Sequence, residues 1–555
     1  MPRPRKTMPK TKGKFRLEDH LILAKFIANK LGLKQVLDIK RFSDVKEGFD
    51  VDGRSYMYHA LITRPGNTLS EDKLRQYDDN IGKYSRNLNK NREENISLKY
   101  YQYLALLFSE IYLDFYFQNP VKFLNEMNEW VSEVSSEEFF SRFDLQKVAY
   151  WMATGSGKTL IMHANYWQFM IYNKGQKLDF ENVILITAND EMSKQHVEDL
   201  KKSGIPATLF QGESGGYFER DKNAVKVISI HKLKLPEDKK GEGVTIDISS
   251  LGTKNLVFVD EGHKGHKSED MKWKKTREKL AKDGFTFEYS ATFGQVITKG
   301  NEETFREYSK SILFDYSYKY FYGDGYGKDF RILNLDTKSF TELQVPTLLL
   351  ADTMSFYEQI LEHKKAGNNI KDYNIEKPLW VFVGSRVRGE ASDVLKVVQF
   401  LNWLLGEDEN KIKRLIENIL RGNSGILADK KDVFAPRHPE RNFLYLREKK
   451  ISPDEIYNGI FNEIFHISPG VMGRKLHLVN LKKAEGEIGL RAGTTEKYFG
   501  VITIGEKPEF LKLVDENAKD IIVQSATISK SLFDEINDPS SSINVLIGAK
   551  KFMEG

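Results

Sequence analysis

Apolar residues recur at spacings near three and four over residues 17–38, where Leu21, Ile22, Ala24, Phe26, Ile27 and Leu31 mark one helical face. Tyr56–Thr63, after the turn Asp52-Gly53, predicts a short β segment. Residues 77–97 are rich in Asn, Lys and Glu and predict a loop or exposed linker. Leu98–Phe117 and Val121–Val134 are strongly helical and aromatic. Residues 17–140 therefore read as a mainly helical accessory domain.

The texture changes over residues 141–345. Short apolar runs (Val148–Met152, Asn182–Thr187, Ala224–Ile230, Leu256–Val259 and Phe285–Tyr289) alternate with amphipathic stretches. Strand–helix alternation predicts βαβ units and a parallel sheet. A second α/β series occupies 346–555, with runs at Leu379–Val383, Leu476–Val479, Tyr498–Ile504 and Ile543–Ile547. Between its first two runs, residues 395–470 are helical and charged, like an insertion.

The strongest chemical signal is Ala153-Thr154-Gly155-Ser156-Gly157-Lys158-Thr159, set between a predicted strand and a predicted helix. Strand, Gly-rich loop, Lys-Thr and helix in this order form a phosphate loop. Glycines let backbone N–H groups turn inward around phosphate oxygens, and the helix start adds its positive dipole end. Lys158 then reaches the β- and γ-phosphates of ATP, and the Thr159 hydroxyl ligates Mg2+. Met152 stands where the general pattern begins with Gly.

A second ATPase element belongs at the end of a later strand. Leu256-Val257-Phe258-Val259-Asp260-Glu261-Gly262-His263 fits, with four apolar residues for a buried parallel strand and acids at its C-terminal edge. Asp260 is expected to hold Mg2+, Glu261 to orient or activate the attacking water, and His263 to lie near the γ-phosphate. Ser290, Ala291 and Thr292 follow the next predicted strand. Their hydroxyls are expected to bond the acidic box and relay phosphate state. Ser525-Ala526-Thr527, before the helical-looking Ser531–Ile536, reads as a chance copy. His263 and His266 read as part of the acidic box or solvent-facing, and Pro453-Asp454 as a helix start.

Composition narrows the field. The chain has 555 residues, which at roughly 150 per domain predicts about three to four domains. Cysteine is absent, which excludes disulfides, thiol catalysis and cysteine–metal sites. With 84 Lys and Arg against 79 Asp and Glu, the net charge of +5 permits a polyanionic partner without requiring one. The basic, proline-punctuated residues 1–16 read as a disordered arm. No apolar run approaches about 18 residues and no secretory signal is evident, so a cytoplasmic protein without a membrane partner is the default.

The three elements together resemble superfamily 2 helicases of the DExH type. Ile184-Leu185-Ile186-Thr187-Ala188 with Gln195 resembles the segment after the second strand that touches the nucleic acid backbone. Leu379–Val383 with Gly384 and Ser385 resembles the first strand of the second RecA-like domain. Tyr101-Gln102 with Ala105 resembles the adenine-recognition element, making Gln102 an ATP contact. Within that superfamily the chain is most similar to the restriction (Res) subunit of type III restriction enzymes. Trp151–Leu160, Gly486-Glu487-Ile488-Gly489-Leu490-Arg491, Ser531–Ile536 and Ile543–Gly555 carry this similarity over about residues 98–555.

The resemblance implies two RecA-like P-loop NTPase domains of α/β class and ATP with Mg2+ as cofactors. It also implies double-stranded DNA and a methyltransferase (Mod) subunit as partners, in defence against incoming DNA. Ile543–Gly555 resembles the start of motif V, so the second domain reads as cut within that motif. The motif VI arginines, worth about 10³–10⁵ in rate for arginine fingers generally, and the family's nuclease domain are not found. Nucleotide binding is then expected to survive, with hydrolysis, translocation and cleavage impaired. An ATP- and DNA-binding module without efficient hydrolysis and a DExH RNA helicase stay open as alternatives.

Overall fold

The computed structural model describes residues 16–33, 36–134, 139–175, 178–209, 222–234, 246–261, 268–294, 302–327, 335, 340–373, 375–384, 389, 392–428, 430–435, 442–471, 473–526 and 530–548. The chain divides into two compact units, Met1–Asp329 and Phe330–Gly555. Most of the expected basic arm, together with His263, His266, Ser385, Thr527 and the residues after 548, lies outside the described residues.

Unit one begins with a helical layer: α1 (Ile22–Lys30), α2 (Tyr56–Ile62), α3 (Glu71–Leu88), α4 (Tyr100–Gln118) and α5 (Pro120–Val134). Three stretches of this layer depart from the sequence pattern. The helix expected over 17–38 is divided: a 3-10 turn at Leu17–His20 precedes α1, and Gly32, at φ +70°, follows the helix end. Tyr56–Thr63 is helical, not β, because the Ser55 hydroxyl caps it by accepting from Tyr58 N–H at 2.9 Å. Residues 77–97 are not all loop, since α3 runs to Leu88. Its polar exterior hides a buried stripe of Leu74, Tyr77, Ile81, Tyr84 and Leu88 at helical spacing.

The sheet follows. Its strands are β1 (Lys147–Met152), β2 (Asn182–Thr187), β3 (Ala207–Leu209), β4 (Val225–Ser229), β7 (Asn255–Asp260), β8 (Phe285–Ser290) and β9 (Ile312–Tyr316), with a separate pair β5 (Leu233–Lys234) and β6 (Ile246–Asp247). The seven strands lie in the order β3-β4-β2-β7-β8-β1-β9, and every pairing is parallel. Helices α6 (Lys158–Tyr172), α7 (Asp190–Lys202), α8 (Ser268–Leu280), α9 (Glu302–Ser311) and α10 (Tyr318–Gly323) complete the unit.

Both faces of the sheet are covered, which is why its strands read as continuous apolar runs. Val148, Tyr150 and Met152 of β1 join the large core built with α1–α6, whereas Ala149 and Trp151 join a smaller core with Leu21, Phe305 and Tyr308. The N-terminal helices thus share one core with the sheet. A buried carboxylate strengthens that union: Glu110 of α4 accepts from Asn80 and Tyr84 of α3 at 2.9 Å each. It also accepts from Gln168 and Tyr172 of α6 at 2.7 Å each. A buried acid is tolerable when its lone pairs are filled in this way.

In unit two, α11 (Gln344–Ala366) precedes β10 (Trp380–Val383). Next come α12 (Asp393–Gly406), α13 (Glu409–Arg421), the pair β11 (Leu427–Ala428) and β12 (Lys431–Asp432), α14 (Leu444–Glu448) and α15 (Pro453–Gly459). Pro453-Asp454 does start a helix, with Ser452 and Glu455 forming a capping box. Strands β13 (Leu476–Leu481), β14 (Glu487–Ala492) and β15 (Gly500–Thr503), helix α16 (Lys507–Asn517), and strands β16 (Ile522–Ala526) and β17 (Val545–Gly548) follow. The sheet order is β10-β17-β15-β14-β13-β16. It is mixed rather than wholly parallel, because β14 runs antiparallel to both β13 and β15. The helices of 395–470 share its core. Ser531–Ile536 forms turns, not a helix. The Ser531 hydroxyl and Leu532 N–H instead donate to the Glu487 carboxylate.

Candidate nucleotide site

Parallel strands end on one edge of a sheet, so their following loops gather there. Register pairs Trp151 with Ser290 and Asp260 with Tyr289, which brings the phosphate loop, the acidic box and the Ser-Ala-Thr segment together. Ile186 pairs with Val259, adding the end of β2 to the same edge.

The loop leaves β1 with Ala153 N–H donating to the Tyr316 carbonyl at 2.9 Å. Gly155 and Gly157 stand at φ +83° and +87°, a region that favours glycine. Gly157 then caps α6, whose first residue is Lys158. Thr154 and Gly155 are exposed, and Lys158 and Thr159 are half-buried. Ser156 is fully buried, and its hydroxyl turns back to donate to the Ala153 carbonyl at 2.6 Å. That side chain shapes the loop from within.

Gln102 comes to the loop from below. Its side-chain Nε2 donates to the Ser156 carbonyl at 2.9 Å, while its Oε1 accepts from Lys99 N–H at the start of α4. A Cβ on Gly157 would lie 2.4 Å from that Nε2. The residue assigned to adenine recognition is therefore a buried brace of the loop. Around it stand Tyr101, stacked on Tyr316 at 3.7 Å, and Phe321, which lies against Gly155. Sequence reasoning missed Tyr316 and Phe321, which follow the loop by more than a hundred residues.

Lys158 extends toward the acidic box, its Nζ 3.7 Å from Glu261 Oε1. Glu261 takes φ +60° and donates its N–H to the Tyr289 carbonyl at 2.9 Å. Asp260 is buried at the strand end, and its Oδ2 lies 3.0 Å from His196 Nε2 of α7. Burial works against its ionisation, yet the His196 hydrogen bond and attraction to His196 and Lys158 hold its pKa below the ordinary carboxylate value. His196 was also missed. It was detectable as a polar residue on the buried α7 face of Ser193, His196, Val197 and Leu200.

Ser290 is buried, and its Oγ accepts from Thr292 N–H at 3.0 Å. The Ala291 carbonyl accepts from Trp151 Nε1 at 3.1 Å. The Thr292 hydroxyl is buried with no hydrogen-bond partner among the described residues. The backbone also ties this segment to the acidic box, through the bond from Glu261 N–H to the Tyr289 carbonyl.

The expected nucleic acid contacts divide. Thr187 is fully buried and its hydroxyl lies 2.6 Å from Ser193 Oγ, so its side chain supports the start of α7 instead of facing a ligand. Gln195 is exposed on the outer face of α7. Gly384 of unit two donates its N–H to the Gly548 carbonyl at 2.8 Å.

The donor set suits the implied metal. One buried carboxylate (Asp260) and one hydroxyl (Thr159) are hard oxygen ligands, and Mg2+ commonly binds through one or two carboxylates plus substrate phosphates. Among the described residues no cluster of three His, Asp or Glu forms an all-protein cage. A magnesium ion there would neutralise developing phosphate charge. Asp260 would hold it, and Lys158 would orient the phosphates.

The strand–loop–helix of β1, the glycine loop and α6 has the form of a phosphate-binding α/β unit. Residues 122–295, which span the phosphate loop, the acidic box and the Ser-Ala-Thr segment, match the family described as "Type III restriction enzyme, res subunit". Similar solved structures include the Sulfolobus solfataricus SWI2/SNF2 ATPase core domain (12% identity, 83% of this chain and 87% of that chain, TM-score 0.26). Another is the Pyrococcus furiosus Hef helicase domain (14%, 74% and 94%, 0.24). A third is S. cerevisiae Dbp5 bound to RNA and ADP BeF3 (11%, 72% and 78%, 0.24). No curated protein matches the chain. Among the described residues no helix is long and apolar enough to cross a membrane.

Proposed function

We propose that this chain is the ATP-dependent DNA translocase or helicase subunit of a type III-like restriction system. It works in the cytoplasm on double-stranded DNA, beside a methyltransferase (Mod) subunit. The observation that carries the reading is the approach of Lys158 to Glu261 at 3.7 Å, with Asp260 next in sequence, on one edge of a parallel sheet. In this reading backbone groups of Thr154, Gly155, Ser156 and Gly157 cradle the phosphates of ATP and Lys158 reaches the terminal ones. Thr159 and Asp260 hold Mg2+, and Glu261 takes a proton from, or orients, the attacking water, with His263 beside the γ-phosphate. Ser290, Ala291 and Thr292 relay phosphate state away from the acidic box. Gln195, Gly384 and Ser385 meet its backbone, contacts that fix register without reading sequence.

The test is binding to duplex DNA and to RNA of the same sequence, with a non-hydrolysable ATP analogue present. Preference for duplex DNA, weakening as salt rises, is expected. Binding to RNA alone would reject the restriction reading in favour of an RNA helicase.

A further inference from the structure

One contact at the nucleotide site joins the acidic box to a helix outside it. His196 is 6% exposed, on the inner face of α7. Its Nε2 lies 3.0 Å from Asp260 Oδ2, and its Nδ1 is buried with no hydrogen-bond partner among the described residues. An ionised carboxylate can only accept, so Nε2 carries the proton in this contact.

The helix that delivers His196 is held at both ends. At its start, Asn189 caps it by accepting from Met192 N–H at 2.8 Å, and Ser193 meets Thr187 of β2. At its end, Ser203 Oγ lies 2.8 Å from Nδ1 of His163, on the helix that begins with Lys158. The imidazole thus reaches Asp260 from a frame tied to β2 and to the phosphate-loop helix. Loss of a partner that fixes the direction of a ligating group typically costs about 10–100-fold in metal affinity.

We infer that His196 is a positioning residue for the metal-binding carboxylate, its Nε2–H holding Asp260 Oδ2 so that the group is aimed at the metal. This rests on the ATP-and-Mg2+ reading of the site. His196 touches neither nucleotide nor reacting atoms. It acts through Asp260.

The test uses the full chain and Mn2+ as the probe, with its binding to the ADP complex followed by electron paramagnetic resonance. Two variants are compared: His196→Met fills the space without a donor, and His196→Gln retains one. Metal-free affinity for a fluorescent ADP analogue reports whether each variant keeps a folded phosphate loop. His196→Met should weaken Mn2+ binding about 10–100-fold, the usual range for loss of such a partner, with metal-free ADP affinity unchanged. His196→Gln should recover most of that loss. Unchanged Mn2+ affinity in His196→Met, or equal loss in both variants, overturns the inference. Loss of metal-free ADP affinity together with Mn2+ affinity also overturns it, since the role would then be general folding. If the unaltered chain binds no ADP at all, the nucleotide reading fails and this inference falls with it, a result distinct from the others.

Discussion

Gln102 and Ser156 are joined across the boundary between helical layer and sheet, the glutamine Nε2 donating to the serine carbonyl at 2.9 Å. The helix that carries Gln102 is thereby attached to the loop that carries Lys158. Gln102→Ala leaves the buried Ser156 carbonyl without this partner. Leaving such groups unpaired costs about 1–3 kcal/mol. Chemical denaturation should show that loss, and nucleotide affinity should fall with it because the loop loses its brace.

Asp315 yields a prediction about pH. It lies buried on β9, where its Oδ1 accepts from Ser317 N–H at 2.9 Å. Burial pushes its pKa up to about 7, against that hydrogen bond and with Glu18 adding repulsion. An acid whose folded pKa is raised favours folding most when protonated. Its contribution is complete below the unfolded value of about 3.9, falls as pH rises, and is lost above about 7. Asp315→Asn should therefore be more stable than the parent at pH 8, by up to about 4 kcal/mol, and equal to it near pH 4. Melting temperatures at the two pH values check this. Equal differences at both would contradict it.

A buried ion cluster gives a third. Glu288, fully buried on β8, pairs with Arg277 of α8 and with Lys147 Nζ at 3.0 Å. Glu307 of α9 shares both cations, at 2.7 Å from Arg277. Removing one partner of a buried pair leaves charge uncompensated, at about 3–5 kcal/mol. Glu288→Ala should destabilise unit one toward the lower end of that range, because Glu307 remains. Replacing a surface pair such as Arg75–Glu71, both more than half exposed, should change stability by less than about 1 kcal/mol. Urea unfolding of the two variants makes the comparison.

The parallel sheet was legible in the sequence because strands buried on both faces leave apolar runs. The places of Lys158 at the start of α6 and of Asp260 at the end of β7 were legible because each lies just beyond an apolar run. The helix α3 was not, since its five large buried apolar side chains are diluted among charged and polar ones. The antiparallel β14 was not, since Gly489 and Arg491 interrupt its apolar run. A Cβ at that glycine would lie 2.4 Å from Tyr498, a need visible only once β14 is placed. His196 escaped because its partner Asp260 is distant in sequence, although its place on the buried face of α7 was readable from the spacing. Gln102 was found by resemblance, but its role as a brace depended on packing.

The most direct test of the central claim, that residues 153–159 hold the phosphates of ATP, is the affinity of the chain for a fluorescent ATP analogue with Mg2+, before and after Lys158→Ala. Loss of one charge-assisted contact of about 1.5–3 kcal/mol predicts binding weakened roughly 10–100-fold, with the melting temperature of the free protein little changed. Undiminished binding by Lys158→Ala would contradict the claim and place the nucleotide elsewhere.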